Sequence, residues 1–176
     1  MGRIINRDGI LGLPVICREN GNRLGIVEDI QYDLGDSKVE GLIVAASGFS
    51  SRFLLVDFNK IQAFGHAAII VGKDSTREIN KKTEDSIIGR TIIRGDGQEL
   101  GRISDIIFNL ENGQIEGYEI SKGVIDDLIS GRNILSGNFR PHIGGDVIVV
   151  PSEQKIDLKS NNRGILNILS DSNRYF

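Results

Sequence analysis

The chain has no tryptophan, one cysteine, one methionine and only 6% aromatic residues. So few rings exclude a broad aromatic platform for stacking bases or sugars. A single Cys17 can make neither an intramolecular disulfide nor a multi-thiolate metal site. Lys plus Arg number 21 against 24 Asp plus Glu, a formal charge of −3 with a pI near 5.4, so no overall positive field attracts a polyphosphate. Generic nucleic-acid binding is therefore disfavoured. No apolar run approaches the roughly 20 residues of a membrane helix. The start MGRIINRDGI lacks the apolar core of a secretion signal, and Asn6 stands where a myristoylation signal wants Ser or Thr. These absences lead to the expectation of a cytoplasmic protein without a membrane span, and they leave contact with the surface of a membrane complex open.

Alanine is scarce too, and here the deficit is informative. Against 5 Ala stand 28 Ile and 10 Val, and β-branched side chains favour pleated sheets where Ala favours helices. The composition predicts strands, and 22 Gly predict many tight turns. A length of 176 residues suits one ordinary domain or two of about 75 to 85 residues.

The chain is an internal repeat. At an offset of 76, Gly21, Leu24, Gly25, Asp29, Ile30, Leu34, Glu40 and Gly41 fall on Gly97, Leu100, Gly101, Asp105, Ile106, Leu110, Glu116 and Gly117, which is 8 identities in 21 aligned positions. Val27 with Ile103, Tyr32 with Phe108 and Val39 with Ile115 are conservative pairs in the same frame. Gly12 matches Gly89 at an offset of 77, and Phe64-Gly65 through Val71 matches Ile143-Gly144 through Val150 at an offset of 79. Each copy has the local signals of hairpins: Asn20-Gly21 and Asp96-Gly97 are tight-turn pairs, and the runs Leu24 to Asp33, Val39 to Ala46, Leu100 to Asn109 and Ile115 to Ser121 are rich in β-branched residues. Phe53 to Val56, Ala68 to Val71 and Val147 to Val150 read as further short strands. Since a lone sheet leaves open edges, closure into a barrel is expected. The predicted fold is mainly β: two tandem small antiparallel β-barrels, domain 1 at 1–72 and domain 2 at 87–151, with a tail at 152–176. Between the barrels, 73–86 holds 8 charged residues in 14 and reads as a linker, with room for one short helix opened by a Ser75 to Glu78 capping box. In the tail, Ile165, Leu166, Ile168 and Leu169 have the spacing of a short amphipathic helix.

The signature Gly21-x-x-Leu24-Gly25-x-Val27-x-Asp29-Ile30 with Val39-Glu40-Gly41, its second copy from Gly97 to Gly117, and the closing Gly144-x-Asp146-x-Ile148-Val149-Val150 resemble the PRC-barrel family. That family includes the cytoplasmic domain of the photosynthetic reaction-centre H subunit and the C-terminal domain of a ribosome maturation factor. The resemblance covers residues 4 to 151 as two modules and implies small β-barrels used for protein contacts. Copy one departs from the closing pattern, with Ala67 where copy two has Asp146.

Candidate chemistry is sparse. Asp29 and Asp105 are the acids repeated in mid-strand; as a catalytic or ligand pair they would need a repeated His or second acid nearby, so hydrogen bonding to backbone donors at a strand bend is the stronger reading. Glu40 and Glu116 are similar, since a general acid–base pair would need opposed environments, which a sequence does not display. His66 and His142 fall on non-equivalent positions and, with Cys17, do not make a zinc set. The glycines sit at hairpin turns and form no phosphate loop. Arg94-Gly95-Asp96 spells an adhesion tripeptide, but its place is a hairpin turn. The expectation is no catalytic residue, no cofactor and no metal, with Gly21, Gly25, Asp29, Gly41, Gly97, Gly101, Asp105 and Gly117 as structural signature residues.

Asymmetry between the copies is the better guide to function. Copy two takes 27 steps from Gly117 to Gly144 where copy one takes 24 from Gly41 to Gly65, and Val124, Ile125, Leu128 and Ile129 lie in that longer stretch. They and the tail residues Ile165, Leu166, Ile168 and Leu169 either cover their own barrels or form a surface for a protein partner or a homodimer. The expected function is a non-enzymatic adaptor or assembly module in the bacterial cytosol. The alternative is an RNA-processing or ribosome-assembly accessory factor seeded by Arg132, Arg140 and His142, although from Thr83 onward 10 basic residues face 14 acidic ones.

Overall fold

The computed structural model describes residues 3–48, 52–80, 86–122, 133–136, 142–144, 147–152 and 159–160. The candidate interaction residues Val124, Ile125, Leu128, Ile129, Ile165, Leu166, Ile168 and Leu169 lie outside these, and so does the expected tail helix. Strand makes up 61% of the described residues and helix 5%, the balance that the Ile and Val excess over Ala predicts.

The chain divides into two compact units. The first holds residues 1–85 together with Phe108–Ile115, and the second holds Ser86–Ile107 and the chain from Glu116. In the first lie β1 (Ile4–Asn6), β2 (Pro14–Cys17), β3 (Arg23–Asp33), β4 (Lys38–Ala46), β5 (Phe53–Asp57), β6 (Ile61–Phe64), β7 (Ile69–Val71) and β8 (Thr76–Ile79), with single 3-10 turns at Arg7–Gly9 and Phe58–Lys60. Its sheet runs in the order β6-β7-β2-β3-β4-β5-β8. The rest of the chain contributes β9 (Thr91–Arg94), β10 (Glu99–Asn109), β11 (Ile115–Ser121), β12 (Asn133–Ser136), β13 (His142–Gly144), β14 (Val147–Val150) and β15 (Lys159–Ser160), in the order β13-β14-β9-β10-β11-β12-β15.

Three expectations are corrected. Among the described residues neither path of strands returns on itself, so the sheets they form are not closed barrels. Their edges are managed instead by shortness and charge: β6 and β8 have four residues each, and Arg77 and Glu78 of β8 are exposed. Nor is the pairing wholly antiparallel, because β7 lies parallel to β2 (Val15 opposite Ile69) and β14 parallel to β9 (Ile92 opposite Ile148). The closing strand reaches its partner after four intervening strands rather than through a hairpin, which leaves its direction free. Finally, the Ser75 to Glu78 segment is no helix. Ser75 Oγ donates to the Gly72 carbonyl at 2.7 Å, and residues 76–79, expected in the linker, pair with β5 as β8.

Alternation along the strands builds the same core twice. Val15, Val27, Leu42, Val56, Ile69 and Val71 are buried in copy one, and their counterparts Ile92, Ile103, Tyr118, Leu135, Ile148 and Val150 are buried in copy two. Gly21 and Gly97 take φ of +70° and +85°, the left-handed turn geometry that selects glycine. Other shared glycines answer to space. A Cβ at Gly25 would lie 2.0 Å from the Ala45 carbonyl oxygen, and one at Gly101 would lie 2.6 Å from that of Ser121. Gly41 would meet the Val56 oxygen at 2.4 Å, and Gly117 that of Leu135 at 2.7 Å. The carbonyls correspond as the glycines do, 45 with 121 and 56 with 135.

The tip of the β10–β11 hairpin belongs to the first unit. There the Val39 N–H donates to the Gly113 carbonyl at 2.8 Å, and the Ile115 N–H donates to the Ser37 carbonyl at 2.8 Å. Since 37 corresponds to 113 and 39 to 115 under the repeat, each bond is the counterpart of the other. Leu110 N–H donates to the Arg3 carbonyl at 2.8 Å beside it.

Gly41→Ala and Gly117→Ala should each lower the stability of the unit concerned by about 1–3 kcal/mol, because the new methyl meets backbone that cannot rotate away. Urea denaturation measures this; a loss below about 0.5 kcal/mol, the range of an ordinary surface change, would show that the strands do not approach so closely.

Candidate functional site

The repeated aspartates sit in the long third and tenth strands. Asp29 Oδ1 accepts the Ile30 N–H at 2.8 Å and the Arg7 Nε–H at 2.6 Å, next to a register shift between Val27 and Asp29. Asp105 Oδ1 accepts the Ile106 N–H at 2.8 Å, and its side chain is fully buried. Each carboxylate thus holds the backbone at the same place in its strand. The arginine is not part of the repeat, since residues 83 and 84, which correspond to Arg7 at offsets of 76 and 77, are Thr and Glu.

Glu40 and Glu116 are exposed, while Glu119 is buried at the position where copy one has Ile43. His66 is exposed in the β6–β7 connection, and the His142 backbone pairs with Val149. Among the described residues no three His, Cys, Asp or Glu side chains come together as a metal set.

The Arg94-Gly95-Asp96 turn folds its charges onto each other. Arg94 Nε lies 3.0 Å from both Asp96 oxygens, and Asp96 Oδ1 also accepts the Gln98 N–H at 3.1 Å. The hydrogen bond from Arg94, then that from Gln98, holds the Asp96 carboxyl down at about 2. In copy one Asn20 Oδ1 accepts the Asn22 N–H at 2.9 Å, so the turn bond is common to both copies and the ion pair is not.

A concavity opens in the first unit, with a volume of about 1150 Å³. Phe58, Ile61 and Phe64 supply its apolar wall, and the tip residues Leu110, Glu111 and Asn112 stand on another side. The Phe58 and Phe64 ring centroids are 5.9 Å apart, and Phe58 also meets the buried Phe108 edge-on at 6.5 Å. Asp36, Glu40, Asp57 and Glu111 face Arg3 and Lys38 around it. Among these lining residues, Glu40 alone is a candidate for chemistry on the sequence. The signal for Phe64 is its mismatch with Ile143 in the other copy.

The PRC-barrel domain model matches residues 4–76 and again 83–156. The chain belongs to the PRC-barrel family. No curated protein matches it significantly. The two PRC matches coincide with the two copies of the repeat, so the family's sequence pattern is met by residues that pack and turn the strands.

Asp105→Ala should cost about 1–3 kcal/mol, the penalty for stranding a buried backbone donor, and Asp29→Ala less, because its surroundings are partly solvated. Chemical denaturation of both variants checks the order. In an NMR titration the Asp96 carboxyl should protonate near pH 2. Its pKa is depressed on folding, so whatever it adds to stability is present above about pH 4 and lost as the pH falls towards 2; in Arg94→Gln the midpoint should rise towards the ordinary aspartate value of about 3.9.

Proposed function

We propose that the protein is a non-enzymatic protein-interaction module, an adaptor or assembly platform made of two PRC-type units and working in the cytoplasm. One observation carries the reading. The residues that the two copies share are used in building the fold: Gly25, Gly41, Gly101 and Gly117 lie beneath backbone carbonyls, and Asp29 and Asp105 hold backbone N–H groups. The shared residues therefore present no reactive arrangement, and many of the differences between the copies, such as Asp36 against Asn112 and Lys38 against Gln114, lie on exposed side chains. Surfaces that vary on a repeated scaffold suit recognition. The longer stretch with Val124, Ile125, Leu128 and Ile129 and the tail with Ile165, Leu166, Ile168 and Leu169, which lie outside the described residues, offer apolar side chains for a partner or for a second copy of the chain.

Affinity capture from the native lysate, with and without ribonuclease, tests this reading. A protein that co-purifies in constant ratio with the wild type, resists ribonuclease and falls about tenfold with Leu128→Asp is the expected outcome, a loss of the size that a central interface residue produces. Capture that vanishes on ribonuclease treatment, or steady turnover of a substrate by the purified chain, would overturn it.

A further inference from the structure

The concavity of the first unit has three properties that together define an occupant. Its volume of about 1150 Å³ exceeds the roughly 300–1,000 Å³ of small-molecule sites and suits a length of chain. Along it runs β6, the last strand on its side of the sheet among the described residues, with Gln62 and Ala63 exposed and the Phe64 carbonyl turned to the Arg3 guanidinium at 3.2 Å. A carbonyl that takes its hydrogen bond from a flexible, exposed side chain can exchange it for the N–H of an added strand. Around the opening stand four carboxylates, Asp36, Glu40, Asp57 and Glu111, against two cations, Arg3 and Lys38. Asp57 also faces Arg77 at 3.8 Å.

Little of this is required by the fold. At the repeat's offset Asp36 falls on Asn112 and Lys38 on Gln114, while Glu111 falls on Gly35 and Phe64 on Ile143. The acidic rim with an aromatic wall is thus a property of one copy together with the tip of the other, and it does not follow from building a PRC-type sheet.

We infer that this groove binds an extended, lysine- or arginine-bearing segment of a partner protein, added as a strand along β6. The inference rests on the interaction reading above and gives it a site and a partner chemistry. Alternate side chains of the added strand point to one face, where apolar ones meet Ile61 and Phe64. Cationic ones reach Glu40, Glu111 and Asp36, with their aliphatic stems over the Phe58 and Phe64 rings.

The test uses the full chain, isotope-labelled, and a short blocked peptide alternating lysine and valine, with a glutamate–valine peptide as its charge-reversed control. The lysine peptide should shift the amide signals of Asn59, Gln62, Ala63 and Glu111, and the glutamate peptide should not. Glu40→Lys with Glu111→Lys, both at exposed positions, should weaken binding about tenfold while leaving the melting temperature unchanged. Salt should weaken it as well, because the screening length falls from about 10 Å at 0.1 M to about 3 Å at 1 M. Equal shifts with both peptides, shifts confined to other residues, or none at about 1 mM peptide would overturn the inference. The lysate capture decides the broader interaction reading separately, so a failed groove beside a ribonuclease-resistant partner is distinguishable from the failure of both.

Discussion

At four places a backbone carbonyl occupies the space where a side chain would begin. Gly25 lies under Ala45 and Gly41 under Val56, and the same arrangement recurs with Gly101 under Ser121 and Gly117 under Leu135. Strands this close bend and twist strongly, and register shifts lie beside these points, at Val27/Asp29 in the β3–β4 pairing and at Glu99/Gly101 in the β9–β10 pairing. The curvature brings the inward faces of the flanking short strands onto Val27, Leu42, Ile103 and Tyr118, all nearly or wholly buried. A sheet of seven or eight strands can thereby enclose a core without closing its hydrogen-bond ring among the described residues.

The reciprocal bonds at the hairpin tips follow from the same duplication. Ser37 adopts φ of +50° where its counterpart Gly113 takes +75°, and each offers its carbonyl to the other tip. A Cβ at Gly113 would come 2.7 Å from the Val39 oxygen, so the close approach selects glycine on one side. Copy one tolerates Ser37 at the equivalent place. The first unit thus acquires Leu110, Glu111 and Asn112, which wall its groove.

Much of the architecture was legible in the residues, for physical reasons. Gly21 and Gly97 mark turns because only glycine enters that region without strain, and the runs from 24 to 33 and from 100 to 109 are strands because they are rich in β-branched residues. What escaped was governed by partners remote in sequence. The parallel pairing of β2 with β7 has no local signature. The Ser75 and Glu78 spacing imitates a helix start, yet Arg77 lies opposite Leu55 in an antiparallel ladder that outweighs it. β6 is too short to show a period, so Phe58 and Phe64 gave no sign that they face one concavity. Only the mismatch between copies, Phe64 against Ile143, bore on that, because a repeat separates what the fold demands from what it permits.

That separation is the central claim, and the thermal melting of two variants measured side by side tests it most directly. Gly25→Ala adds a methyl against the Ala45 carbonyl, whereas Phe64→Ile installs the residue that copy two uses at the same place. The account predicts that Gly25→Ala lowers the melting temperature of the first unit by about 5–20 °C, and that Phe64→Ile stays within about 5 °C of wild type. The reverse order, with the glycine tolerant and the phenylalanine indispensable to folding, would contradict it.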